Sequence, residues 1–111
     1  MDDLSQQVCI PCEGGASPLA PDQLEEYLGH VNNWKMDTTH TKISKRFAFK
    51  NFAQALDCVN TIGKIAESEN HHPDIAFGWG YCEVTLTTHS ICGLHPNDFI
   101  VASKIDQSID A

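Results

Sequence analysis

Apolar positions recur along this chain with two different periods, and the change from one to the other lays out its elements. Pro21 at a first helical position, acidic Asp22, Glu25 and Glu26, and then Leu24, Tyr27 and Leu28 predict a short amphipathic helix that Gly29 can end. Trp34 and Met36 alternate with Lys35 and Asp37, and Ile43, Phe47 and Phe49 with Ser44, Arg46 and Ala48. That period of two predicts antiparallel strands joined around Thr38-Thr39-His40. The strongest helical pattern follows. Asn51 with Gln54 three residues on is a capping-box-like start, and Phe52, Ala55, Leu56, Val59, Ile62, Gly63 and Ala66 recur at helical spacing. Pro73 pushes the residue before it out of the helical region, so His71 and His72 fall at a forced helix-to-strand corner.

Beyond the corner, Ile75, Phe77 and Trp79 alternate with Ala76 and Gly78, and Cys82, Val84 and Leu86 with Glu83, Thr85 and Thr87. A two-residue type II′ turn at Gly80-Tyr81 would set Trp79 opposite Cys82 and gather the apolar set on the core face. The polar set is then solvated, as in an antiparallel sheet covered on one side. His89, an odd number of residues from Leu86, belongs to that open face or to the frayed end of the strand. The last element opens at His95, with Pro96 first in the helix and Asp98 third; Leu94 and Phe99 bracket it as a hydrophobic staple would. Phe99, Ala102, Ile105 and Ile109 carry its apolar stripe. The order α-β-β-α-β-β-α predicts an α+β layer: one antiparallel sheet with helices on one face.

Length and composition narrow this picture. The chain has 111 residues, the size of one domain. Residues 1–18 mix Gln, Cys, Gly, Ser and Pro without an apolar period, which predicts a flexible N-terminal extension ahead of a single domain over 19–111. A formal charge of −8 argues against direct nucleic-acid contact, and Lys42, Lys45, Arg46 and Lys50 are expected on a solvated strand face. No apolar run approaches a membrane span, and Met1-Asp2-Asp3 is acidic where a signal peptide would be basic; a cytoplasmic location is expected. The five cysteines are irregularly spaced, which argues for reduced thiols. Cys9-Ile10-Pro11-Cys12 has metal or redox spacing, but no second pair completes a zinc ribbon and Glu13-Gly14-Gly15 does not open a thioredoxin-like helix.

The candidate chemistry lies in Glu67, His71, His72, Pro73, Trp79, His89 and Asp98. Histidine is the side chain that titrates near neutral pH when unperturbed, so imidazoles with nearby carboxylates suit proton transfer. Simpler explanations stand beside that one. A helix C-terminus favours imidazolium, and Asp98 near a helix start is stabilised as an anion. Glu67 could orient His71 one turn on, or be a weak surface contact. The phase of Trp79 with Ile75 and Phe77 favours core packing over a ligand wall. His30, His40 and His95 have loop or cap explanations, whereas nothing structural asks for histidine at His89. Neither an H-x-x-x-H pair nor an H-x-E pattern is present to bring two metal ligands together locally, so metal-independent chemistry is expected.

Taken with their gap lengths of four, one, one, six, ten and nine residues, those seven positions resemble the signature of the pterin-4a-carbinolamine dehydratases. The similarity runs from about Leu19 through Trp34, Phe47-Ala48-Phe49, Phe52 and Thr85 to His89, then Gly93-Leu94 and Asn97-Asp98-Phe99, to near Ile105. Trp79 and Asn97-Asp98-Phe99 look more like bacterial members than animal ones, which often carry tyrosine and arginine-aspartate there. The resemblance implies a four-stranded antiparallel sheet with helices on one face. It also implies a reaction: elimination of water from a 4a-hydroxytetrahydropterin to give quinonoid dihydropterin, with no cofactor. His71 and His89 would then transfer protons and His72 mainly hold the pterin. Glu67, Asp98, Pro73 and Trp79 would orient or bind. A homodimer or homotetramer is implied, coupled in function to an aromatic amino-acid hydroxylase. Animal relatives also bind the dimerisation segment of a homeodomain transcription factor, so a non-enzymatic interaction module is the alternative expectation.

Overall fold

In the computed structural model, which describes residues 3–9 and 17–109, the two hydrophobic periods become the elements they predict. In chain order these are α1 (Pro21–Leu28), β1 (Lys35–Met36), β2 (Ile43–Ala48), α2 (Phe52–Glu69), β3 (Asp74–Gly78), β4 (Tyr81–Leu86) and α3 (Pro96–Ile109). Single 3₁₀ turns stand at Leu4–Gln6 and His89–Ile91. The strands form one antiparallel sheet in the order β1-β2-β4-β3. The fold is α+β, with the order of helices and strands read from the sequence.

The core lies between the helices and the inner face of the two central strands. Ile43 and Phe47 on β2 and Cys82, Val84 and Leu86 on β4 share one cluster with Cys58 and Ile62 of α2 and with Phe99, Ala102 and Ile105 of α3. Leu94 and Phe99, on either side of the α3 start, are both fully buried. Pro18 packs so closely on Gly93 that a β-carbon there would sit 2.8 Å from it, while Leu19 donates its N–H to Leu94 at 2.9 Å. The chain entering α1 is thereby tied to the loop that leads into α3.

Helix α2 begins and ends by side-chain and backbone chemistry near its termini. Asn51 accepts the N–H of Gln54 at 2.9 Å, and Gln54 reaches back to the N–H of Lys50 at 3.0 Å, one residue beyond a standard capping box. The helix stops at Asn70, before Pro73 can act. Asn70 takes a left-handed conformation (φ 52°, ψ 40°), which asparagine tolerates better than most residues, and its N–H returns to Ala66.

Three expectations are corrected. The β3–β4 turn is centred on Trp79-Gly80, so Gly78 pairs with Tyr81 and Phe77, not Trp79, faces Cys82. Only the second central residue, Gly80 (φ 82°), has positive φ, which a type II′ turn would require at the first. The shift preserves the inward alternation but leaves Trp79 on the turn, 73% exposed, rather than in the core. Second, Lys45 is not on a solvated face: it shares the inward parity of Ile43 and Phe47, is 8% exposed, and pairs with Asp106 at 2.9 Å. Asp106 also accepts from Trp34 Nε1 at 2.9 Å and the N–H of Asn32 at 2.8 Å.

The third correction concerns residues 3–9, which the sequence assigns to the extension. They lie against α3, with Leu4 only 2% exposed inside the main core cluster. A single leucine has no period to reveal it, yet burying it is worth roughly 1.5–3 kcal/mol. Cys12 lies outside the described residues, so the Cys9/Cys12 spacing has no structural counterpart here.

Candidate active site

The left-handed cap at Asn70 turns the chain so that the two adjacent histidines diverge. His71 swings toward α3, where its Nε2 lies 2.6 Å from Asp98 Oδ1. His72 turns back over α2, and its Nε2 meets Glu67 Oε2. The expected pairing of Glu67 with His71 therefore does not form, because the helical spacing that would bring them together ends at Glu69. The two pairs also differ in environment. Asp98 is fully buried and the His71 side chain 12% exposed, whereas Glu67 and His72 are exposed and their contact is weakened by water.

Asp98 is held from several directions. Its Oδ2 accepts from Thr88 Oγ1 at 2.7 Å and from the N–H of His95 at 3.0 Å. The latter is half of a capping box, because His95 is the residue before α3 and Asp98 is third within it. His95 caps the helix in turn, its Nδ1 accepting the N–H of Asn97, the second helical residue, at 3.0 Å. Burial pulls His95 below its ordinary pKa, against the attraction of the Asp98 charge, and a neutral ring is what that cap needs. With Asp98 ionised, its contact with His71 places the ring proton on Nε2 and leaves Nδ1 as the basic nitrogen.

His89 opens the 3₁₀ turn after β4, beyond the strand end, and is exposed. Its loop is closed by Thr88 pairing with Gly93. Together His71, His72 and His89 line a cavity of about 500 Å³, shared with Thr87, Thr88 and Asn97. That volume is in the range of small-molecule sites. Cys9, Glu69, Asn70 and Ser90 complete its rim. Of the positions singled out in the sequence, the structure brings the three histidines to one cavity, with Asp98 behind His71 and Glu67 behind His72. Pro73 sits half-buried at the corner, and Trp79 lies at the opposite end of β3.

The sequence reading missed Thr88, Glu69, Asn97 and Cys9 as site residues. The run Thr87-Thr88-His89 carried a signal: a β-branched hydroxyl beside a loop histidine can donate to a buried carboxylate, as Thr88 does. Among the described residues, no three His, Cys, Asp or Glu side chains converge to hold a metal ion, and no helix is long and apolar enough to cross a membrane.

Comparison with known proteins agrees with this geometry. Proteins of Methylococcus capsulatus and Halorhodospira halophila that carry the name pterin-4-alpha-carbinolamine dehydratase are 47% and 48% identical to it. The first match covers 94% of this chain and 91% of the relative, the second 93% and 94%. A crystal structure from Brucella melitensis, described as a transcriptional coactivator/pterin dehydratase, superposes with a TM-score of 0.77 at 27% identity, covering 82% of this chain and 97% of that one. A pterin dehydratase-like protein described as a RuBisCO assembly factor in the alpha-carboxysome superposes at 0.59 with 25% identity, covering 68% and 88%. The sequence profile described as Pterin 4 alpha carbinolamine dehydratase matches residues 17–108, and with His71, His72, His89 and Asp98 all inside that span, the chain belongs to this family.

Proposed function

We propose that this protein dehydrates 4a-hydroxytetrahydropterin to quinonoid dihydropterin, recycling the pterin used by an aromatic amino-acid hydroxylase. The observation that carries this reading is the buried His71–Asp98 pair on a cavity that His72 and His89 also line. In the reaction the C4a–O bond breaks and its electrons leave with the hydroxyl, which takes a proton to become water. The neighbouring N5–H gives up its proton, and its electrons form the C4a=N5 bond. Both proton transfers fall to imidazoles that approach from separate elements, His71 from the α2–β3 corner and His89 from the loop after β4. Each positioned acid or base contributes roughly a hundred- to ten-thousand-fold. Asp98 fixes the tautomer of His71, and His72, backed by Glu67, holds the pterin at the rim.

The reaction is complete with acid and base alone, so neither cofactor nor metal is part of the proposal. Phe52 and Leu56 on α2 and Trp79 on the hairpin leave large apolar side chains exposed, which supports a homodimer or homotetramer. Cytoplasmic location is part of the same reading. The alternative, a non-enzymatic interaction module, draws support from the coactivator and assembly-factor descriptions of the two structural neighbours. The test is coupled turnover: sub-stoichiometric protein should raise the steady rate of a phenylalanine hydroxylase run with limiting tetrahydropterin. An unchanged hydroxylase rate would favour the interaction module.

A further inference from the structure

We propose that the packed segment 3–9 carries Cys9 into the wall of the substrate cavity, and that Cys9, held there by Glu69, packs against the bound pterin. This rests on the dehydratase reading of the cavity and adds to it a segment outside the matched span of the family. Three contacts fix the wall. Leu4 is buried in the core, Lys104 of α3 donates to the Ser5 carbonyl at 3.0 Å, and Glu69 accepts the N–H of Cys9 at 2.8 Å. Lys104 also pairs with Glu69 at 3.6 Å, so one lysine and one carboxylate join α2, α3 and the segment.

The position of Cys9 is tied to the proton-transfer pair. Its Sγ lies 3.7 Å from the carbonyl of Asn97, the residue before Asp98, and Glu69 stands two residues before His71. A displacement of the wall would therefore be a displacement relative to His71 and Asp98, and acid–base transfer is sensitive to such misplacement. Burial, reinforced by the Glu69 charge, pushes the Cys9 thiol up to about 12, so it is neutral at working pH. A neutral thiol is a small, polarisable, weakly polar surface, suited to lie against a flat heteroaromatic ring. It is a poor nucleophile and a poor metal ligand in that state.

The deciding experiment is peptide-resolved oxidative labelling of the full chain with hydroxyl radicals, which attack neutral thiols, with and without saturating 7,8-dihydrobiopterin, its binding measured on the same sample by calorimetry. Bound pterin should slow modification of Cys9 by about tenfold or more, since such sites bury most of their ligand. Exposed Cys92, which does not line the cavity, serves as the internal control and should be unaffected. Cys9→Phe should raise the KM for the carbinolamine by about tenfold or more with kcat within about threefold, because it obstructs binding more than chemistry. Cys9→Ser, close in size but less polarisable, should raise KM far less than Cys9→Phe does. Unchanged Cys9 labelling in pterin-saturated protein, or a folded Cys9→Phe with wild-type KM, would overturn the wall. Protein that neither binds 7,8-dihydrobiopterin nor turns over the carbinolamine would instead overturn the dehydratase reading beneath it. Should Cys9→Phe fail to fold, the labelling of wild-type protein still decides.

Discussion

His71 and Asp98, 27 residues apart in sequence, meet at 2.6 Å because a left-handed asparagine turns the chain at the end of one helix and a capping carboxylate opens another. Asp98 thus serves two ends at once. It satisfies the N–H of His95 and aims the imidazole of His71, with Thr88 completing its coordination. Replacing it by asparagine exchanges a pure acceptor for a group that can donate, which permits the wrong tautomer of His71. Asp98→Asn should therefore lower kcat by about a hundredfold, the contribution of one positioned acid–base group. A variant with wild-type kcat would show that Asp98 is only a cap.

The histidines should separate by kinetic role. His71→Ala and His89→Ala should each lower the rate at saturation by roughly ten- to a thousand-fold, whereas His72→Ala should mainly raise KM. The double variant His71→Ala/His89→Ala should lose much less than the product of the single losses if the two form one proton-transfer unit. Changes confined to KM in all three variants would assign them to binding alone.

How much of this was legible beforehand depended on range. Elements came through because period and caps are local: Pro21, Gly29, Asn51 and Pro96 mark ends that the structure keeps. The three cavity histidines were visible as residue types, but their partners were not. A Glu67–His71 pair needs the helix to continue through His71, and the left-handed cap at Asn70 ends that spacing. The place of Trp79 is hidden in the sequence because a hairpin register moved by two residues leaves the apolar alternation intact, so the pattern cannot tell a strand end from a turn. Lys45 had the parity of a core residue, and only its distant partner Asp106 makes that position tolerable.

That ion pair yields a prediction about stability. Asp106 joins α3 to β2 through Lys45 and to the approach to β1 through Trp34 and Asn32. Asp106→Ala should lower the unfolding free energy by about 3–5 kcal/mol, the usual cost of removing one partner of a buried pair. Rate per folded molecule should be retained, since Asp106 lies outside the cavity. Urea titration of both proteins measures it; a loss under about 1 kcal/mol would be typical of an exposed pair.

Acid should weaken the fold partly through His95. Burial holds this histidine below its ordinary value of 6.5, so through the window under 6.5 the unfolded chain binds more protons than the folded one. Its contribution is complete above that window and is lost as pH falls toward the lower folded value. His95→Asn keeps an acceptor for the N–H of Asn97 but cannot titrate in this range. Wild type should lose more stability than His95→Asn between about pH 7 and about pH 5, read from denaturant midpoints at each pH. Parallel curves would contradict the assignment.

The central claim is that this cavity dehydrates a pterin carbinolamine, and its most direct test is the absorbance decay of freshly generated 4a-hydroxytetrahydropterin with catalytic amounts of the protein. Wild type should accelerate the decay in proportion to its concentration, and protein lacking both His71 and His89 should leave the rate close to the spontaneous one. Decay that folded wild-type protein does not change would contradict the account.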